Sequence, residues 1–125
     1  MKKLEEEAKK FMQSKNKSMI TADEYQDKAK ATAIYPKKDA LPYLSLGLVS
    51  EAGEVAGKVK KLIRDGTESD VASEVGDVLW YWVQGCKALG YTPQQVMEEN
   101  IRKLESRYPN GFEVVRSEVR KEGDI

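Results

Sequence analysis

Two six-residue stretches carry the residues most able to do chemistry: SEAGEV, Ser50 to Val55, and SEVGDV, Ser73 to Val78. Each places two acids three residues apart, Glu51 with Glu54 and Glu74 with Asp77, inside a segment whose other residues read as helix core. Side chains three apart on a helix lie on one side of it, so each pair can converge. The chain has no histidine and one cysteine, Cys86, which excludes Ser-His-Asp and Cys-His chemistry and the usual zinc sites. What remains is carboxylate chemistry, and carboxylate oxygens suit hard divalent cations such as Mg²⁺ or Mn²⁺. E-x-x-E and E-x-x-D also occur on solvated helix faces. One copy alone would favour that reading, whereas two copies at matched phase leave both open.

The elements that must position these acids are helices. Leu41, Leu44, Leu48, Val55, Val59 and Leu62 recur at helical spacing from Leu41 to about Ile63, and Asp65-Gly66 stops the run. Glu51 then falls about 60° off that stripe and Glu54 about 60° further round. Beyond the polar loop TESD, Val71, Val75, Val78, Trp82, Cys86 and Leu89 form a second stripe that closes at Gly90, with Glu74 and Asp77 in the same relation to it. The short loop predicts antiparallel packing, which brings all four carboxylates into one cluster. Crowded acids raise one another's pKa and are costly to bury, a conflict that a bound cation resolves.

Two further helices are marked by their starts. Thr21 with Glu24 makes a capping box for a helix carrying Tyr25, Ala29 and Ala33, which Pro36 ends. Thr92, Pro93 and Gln95 open another, with Met97, Ile101, Leu104 and Tyr108 as its expected buried stripe. No segment alternates with period two. The fold class is therefore all-α, a bundle of four to five helices, with a charged N-terminal extension over residues 1–19 and one domain over 20–125. The basic residues narrow the ligand. Lys58 lies on the acidic side of its helix with Lys61 slightly further round, and Asn100, Lys103 and Arg107 form a polar stripe beside the Met97 row. A carboxylate cage faced by such groups suits a substrate with several phosphates. Helix-surface ion pairing is the alternative, and it is the preferred reading for Lys60, Arg64 and Arg102.

Composition sets the class. The 125 residues, 40% hydrophobic, suffice for one core. Lys plus Arg and Asp plus Glu number 21 each, so no net charge draws the chain to nucleic acid or membrane. Cys86 reads as inert core, and neither a signal peptide nor 18 consecutive apolar residues is present, so a cytoplasmic protein is expected.

From about Ile20 to Phe112 the sequence resembles the MazG-like family of all-α nucleotide pyrophosphohydrolases, on GLVSEAGEVAGKVKKLIRDG, SEVGDVLWYW and NIRKLESRYPNGF. That family's pattern is Glu-Glu-x-x-Glu followed after a variable gap by Glu-x-x-Asp; Glu51, Glu54, Glu74 and Asp77 match it, and Ser50 replaces its first glutamate. The resemblance implies Mg²⁺-dependent hydrolysis of a (deoxy)nucleoside triphosphate between the α and β phosphates, with these four acids as metal ligands and Glu51 or Glu54 orienting the water. Lys58, Lys103 and Arg107 would stabilise the departing pyrophosphate. Tyr25, Gln26 and Thr32, with the aromatic pair Trp80 and Tyr81, are candidates for the base pocket, and Lys61 and Asn100 for further substrate contacts. The resemblance also implies a homodimer or homotetramer, an expectation that Trp80, opposite the main stripe, supports as a subunit-contact residue. The rival readings are a hydrolase of a modified nucleotide or guanosine alarmone, and a non-catalytic cation-binding helical module.

Overall fold

A computed structural model describes residues 2–15 and 19–112; the 16–18 part of the charged linker and the segment after Phe112 lie outside the described residues. Five α-helices follow one another: α1 (Lys2–Lys15), α2 (Ala22–Ala29), α3 (Ala40–Asp65), α4 (Val71–Ala88) and α5 (Pro93–Arg107), with two single 3-10 turns between α2 and α3. No strand occurs among the described residues, so the all-α class holds.

The helix ends form where local chemistry dictates. Both capping boxes close: Thr21 Oγ1 accepts from the Glu24 N–H at 3.1 Å, and Thr92 Oγ1 from the Gln95 N–H at 3.1 Å. Gly66 ends α3 in the left-handed region (φ 71°), where a side chain would be strained, and its N–H caps the Leu62 carbonyl. Asp70 then starts α4 by accepting from the Ser73 N–H at 3.0 Å. Loss of such a cap costs about 1 kcal/mol.

The long hairpin of α3 and α4 is the body of the molecule, and α2 and α5 pack on α4. Gly47 meets Tyr81, Glu51 feels Asp77, and Lys58 reaches the backbone of Asp70. Four and then seven residues up α3 match four and then seven down α4, so the helices run antiparallel in one unbroken register. That arrangement is the one the short loop predicts.

The core is thinner than the stripes suggest. Leu44, Val83 and Cys86 are the buried hydrophobic residues among those described, with Pro93 and Gln84 also enclosed. The expected buried row of α5 is largely open, Met97 at 39%, Ile101 at 53% and Leu104 at 41% exposure. The physical reason is geometric: a two-helix body flanked by two shorter helices covers only part of each apolar face. α3 also presents an outer row, Leu46, Val49, Gly53, Ala56, Lys60 and Ile63, with the alternating three-and-four spacing of a coiled-coil seam, and Leu46, Val49 and Ile63 there are 72–81% exposed.

Candidate active site

The seam between α3 and α4 gathers three acids. Glu51, Glu74 and Asp77 each offer a carboxylate oxygen, and these three oxygens lie within 4.8 Å of one another. Glu51 and Glu74 are half-buried and Asp77 is exposed. Burial pushes the Glu51 carboxyl above its ordinary value, and the charges of Asp77, Glu74 and Glu54 push it further. An all-oxygen set that crowds carboxylates in this way fits a hard divalent cation. Glu54 stands outside the three and is exposed, although its charge reaches both Glu51 and Lys58.

Lys58 crosses from α3 to α4. Its ammonium donates to Glu74 at 2.7 Å and lies 3.4 Å from the Asp70 carbonyl oxygen. The hydrogen bond to Glu74 raises its pKa, against the opposing effect of burial, and the charges of Glu74, Asp70 and Glu54 add to the rise. The Lys61 charge reaches Asp65, near the end of α3, as the smallest of the influences on that carboxyl.

Aromatic residues close the other side of the acids. The Tyr81 ring lies so tightly on Gly47 that a Cβ there would overlap it. Burial raises the Tyr81 pKa, with Tyr43, Glu51 and Asp77 adding to it; burial and then Asp77 do the same for Tyr25. Both phenols therefore remain protonated donors beside the acids. Trp80 stands edge-on to Tyr81 at 4.9 Å between centroids and to Tyr35 at 6.5 Å, while Tyr35 stacks on Tyr43 at 5.3 Å. Trp80 is thus engaged within its own chain. Its indole N–H donates to Thr32 Oγ1 at 2.8 Å, and the Thr32 hydroxyl donates to the Ala29 carbonyl. Gln26 donates from Nε2 to the Val83 carbonyl at 2.6 Å, which fastens α2 to α4.

The α5 stripe is carried by a helix that packs on α2 and α4. Asn100 is exposed, Lys103 is half-buried, and the Arg107 guanidinium sits over the Tyr108 ring at 5.9 Å. Tyr35, Tyr43 and Asp70 belong to this neighbourhood and do not stand out in the sequence. Gly47 gives no usable signal either, since Gly53 and Gly57 in the same helix have nothing within 4 Å.

A helical hairpin with clustered carboxylates, a lysine across the seam and an aromatic wall defines a class of all-α carboxylate site. The comparison with known families gives that class its family. Residues 42–112 match the MazG nucleotide pyrophosphohydrolase domain, and the chain belongs to that family. It is also 40% identical over 102 residues, 71% of this chain and 90% of the relative, to the "Gene 37 protein" of Mycobacterium phage L5. No solved structure matches the chain.

Proposed function

We propose that the protein is a nucleoside triphosphate pyrophosphatase that cleaves (d)NTPs between the α and β phosphates to the monophosphate and pyrophosphate. The observation that carries this reading is the meeting of Glu51, Glu74 and Asp77 across the seam in a chain of this family. These three residues, with Glu54 beside them, would hold Mg²⁺, or Mn²⁺ in its place. A bound cation supplies charge neutralisation on the phosphates and acidifies a coordinated water.

The chain's own residues divide the remaining work. Glu54, exposed and outside the three, orients the attacking water and accepts its proton at a carboxylate oxygen. The water oxygen bonds to the α phosphorus as the bond to the bridging oxygen breaks, and pyrophosphate carries away the electron pair. Tyr25 and Tyr81 donate hydrogen bonds to phosphate oxygens, since both phenols stay protonated. Lys58 adds positive charge at the phosphate end. The base lies against the aromatic wall, where Tyr43 is 44% exposed and offers a stacking face, with Gln26 and Thr32 fixing the wall from behind.

The site is completed by a second copy of the chain. The outer row of α3 is apolar, regularly spaced and uncovered, which suits helix pairing about a two-fold axis in a homodimer or a dimer of dimers. In that assembly the partner supplies the α5 side chains Asn100, Lys103 and Arg107 to the triphosphate. The substrate is a free nucleotide, since equal numbers of acids and bases give no basic track for nucleic acid. No described helix is long and apolar enough to cross a membrane, and a lone buried cysteine accords with a cytoplasmic enzyme.

The test is release of monophosphate and pyrophosphate from the eight common ribo- and deoxyribonucleoside triphosphates, with Mg²⁺ and with chelator. Glu74→Gln is expected to lower turnover on the order of 10³-fold while the helical circular dichroism stays unchanged. Turnover that survives chelator, or that Glu74→Gln leaves intact, rules the reading out.

A further inference from the structure

Lys58 forms an ion pair with Glu74, a member of the acid triad. The pair is screened, the Lys58 side chain 27% and the Glu74 side chain 17% exposed, and the lysine is held from α4 as well by the Asp70 carbonyl. Its ammonium therefore occupies the electrostatic position that a divalent ion would claim. A metal ion on Glu74 and an ammonium hydrogen-bonded to the same carboxylate would stand within about 5 Å of each other, where two cations repel strongly in a partly enclosed site.

The structure also provides a place for the lysine to go. On the side of Lys58 away from the aromatic wall lies a cavity of about 660 Å³, bounded by the α3–α4 loop and the start of α1. Lys58 itself lines it, together with three acids, Glu7, Glu68 and Asp70, and one further cation, Lys3, so that acids outnumber the other base. A lysine side chain is a point charge on a flexible four-carbon stem, able to exchange one carboxylate for another at little cost.

We propose that Lys58 is a resident counter-ion of the triad: it neutralises Glu74 when no metal is bound and yields that carboxylate to an incoming divalent cation, swinging towards the loop-side cavity. The inference rests on the triad being a cation site, as proposed above. Two consequences follow. The nucleotide-free protein binds Mg²⁺ more weakly than its carboxylates alone would allow. The lysine becomes available to a phosphate only after the metal has released it, so loading of the cation precedes or accompanies engagement of the nucleotide.

The test is Mg²⁺ binding by calorimetry to the nucleotide-free full chain, comparing wild type, Lys58→Met and Lys58→Arg. Lys58→Met is expected to bind Mg²⁺ about tenfold more tightly than wild type, and Lys58→Arg, which keeps the charge, to stay near wild type. Equal or weaker binding by Lys58→Met overturns the counter-ion role, because the pair would then be building the cage instead of occupying it. Magnetic resonance of the Lys58 Cε methylene in the unmutated protein needs no variant to fold. Its signal should move as Mg²⁺ is titrated, and a signal that stays fixed while Mg²⁺ binds overturns the proposal. If folded wild type and Lys58→Met alike bind no Mg²⁺, the cation site itself fails and the counter-ion falls with it; that result is distinct from equal, measurable binding in both.

Discussion

The two ends of the α3–α4 hairpin are built differently, and the acids lie between them. At one end Tyr81 seals against Gly47, Trp80 is bonded to Thr32, and Tyr35 and Tyr43 stack alongside, so little can move without collision. At the other end a five-residue loop spans Gly66 to Asp70 beside a cavity, and the one side chain that reaches back to the acids is a flexible lysine. The contrast separates two requirements of a cation site. Rigid packing fixes where the carboxylates stand, whereas a yielding neighbour lets their charge be shared out differently as ligands come and go.

Three measurements would break or sharpen this contrast. The largest effect is expected at the sealed end, where Gly47→Ala drives a methyl into the Tyr81 ring. Overpacking of this kind costs about 1–3 kcal/mol, read as a lower urea midpoint with an unchanged slope. A midpoint equal to wild type would mean that the aromatic end is as loose as the loop end. Next comes the outer row of α3, which belongs to neither end. Ile63→Glu should weaken self-association about tenfold in sedimentation while the circular dichroism spectrum is kept. A wild type that sediments as a monomer at micromolar concentration would remove the assembly altogether.

The smallest effect is a pH dependence at the acids themselves. The folded-state pKa of Glu51 is raised, so the folded protein holds that proton more tightly than the unfolded chain does. The resulting stability is complete below the unfolded value and is lost as pH rises through the folded one. In chelator, wild type should therefore melt below Glu51→Gln at neutral pH, and the gap should close as pH falls towards the ordinary value of 4.5. Asp27 and Asp65, whose pKa values are lowered by their own partners, titrate in the opposite sense but alike in both proteins, and so cancel. A gap independent of pH would show that the triad carries no surplus charge.

Much of this architecture can be read from the chain because its causes are local. Thr21 with Glu24, Thr92 with Gln95, and Gly66 are each recognisable within four residues, and helical phase with a short loop predicts a meeting of four acids, of which Glu51, Glu74 and Asp77 come together and Glu54 stands outside. What was not legible depends on register between elements. That Lys58 meets Glu74, and not merely its own helix neighbour Glu54, follows only from how far α3 slides along α4. Trp80 is adjacent in sequence to Tyr81 and Trp82, and nothing there foretells a hydrogen bond to Thr32. Periodicity identified the apolar face of α5 at Met97, Ile101 and Leu104, but a period says which side is apolar and not whether anything covers it. Tyr35 stands before Pro36, ahead of α3, and Tyr43 follows Pro42 in the first turn of α3, and neither belongs to the apolar stripe.

The unbroken register of the hairpin bears on which changes in length the protein can absorb. An extra residue in the loop between Gly66 and Asp70 leaves every facing pair where it is, and even doubling a flexible loop costs only about 0.6 kcal/mol. One residue added to α3 between Glu51 and the loop would turn everything on the far side of it by about 100° relative to α4, and the acid and its partners could no longer share a face. Insertions and deletions are therefore free to accumulate in the turn and are barred from the helices, which makes the spacing between the two acidic segments elastic while the spacing within each stays rigid.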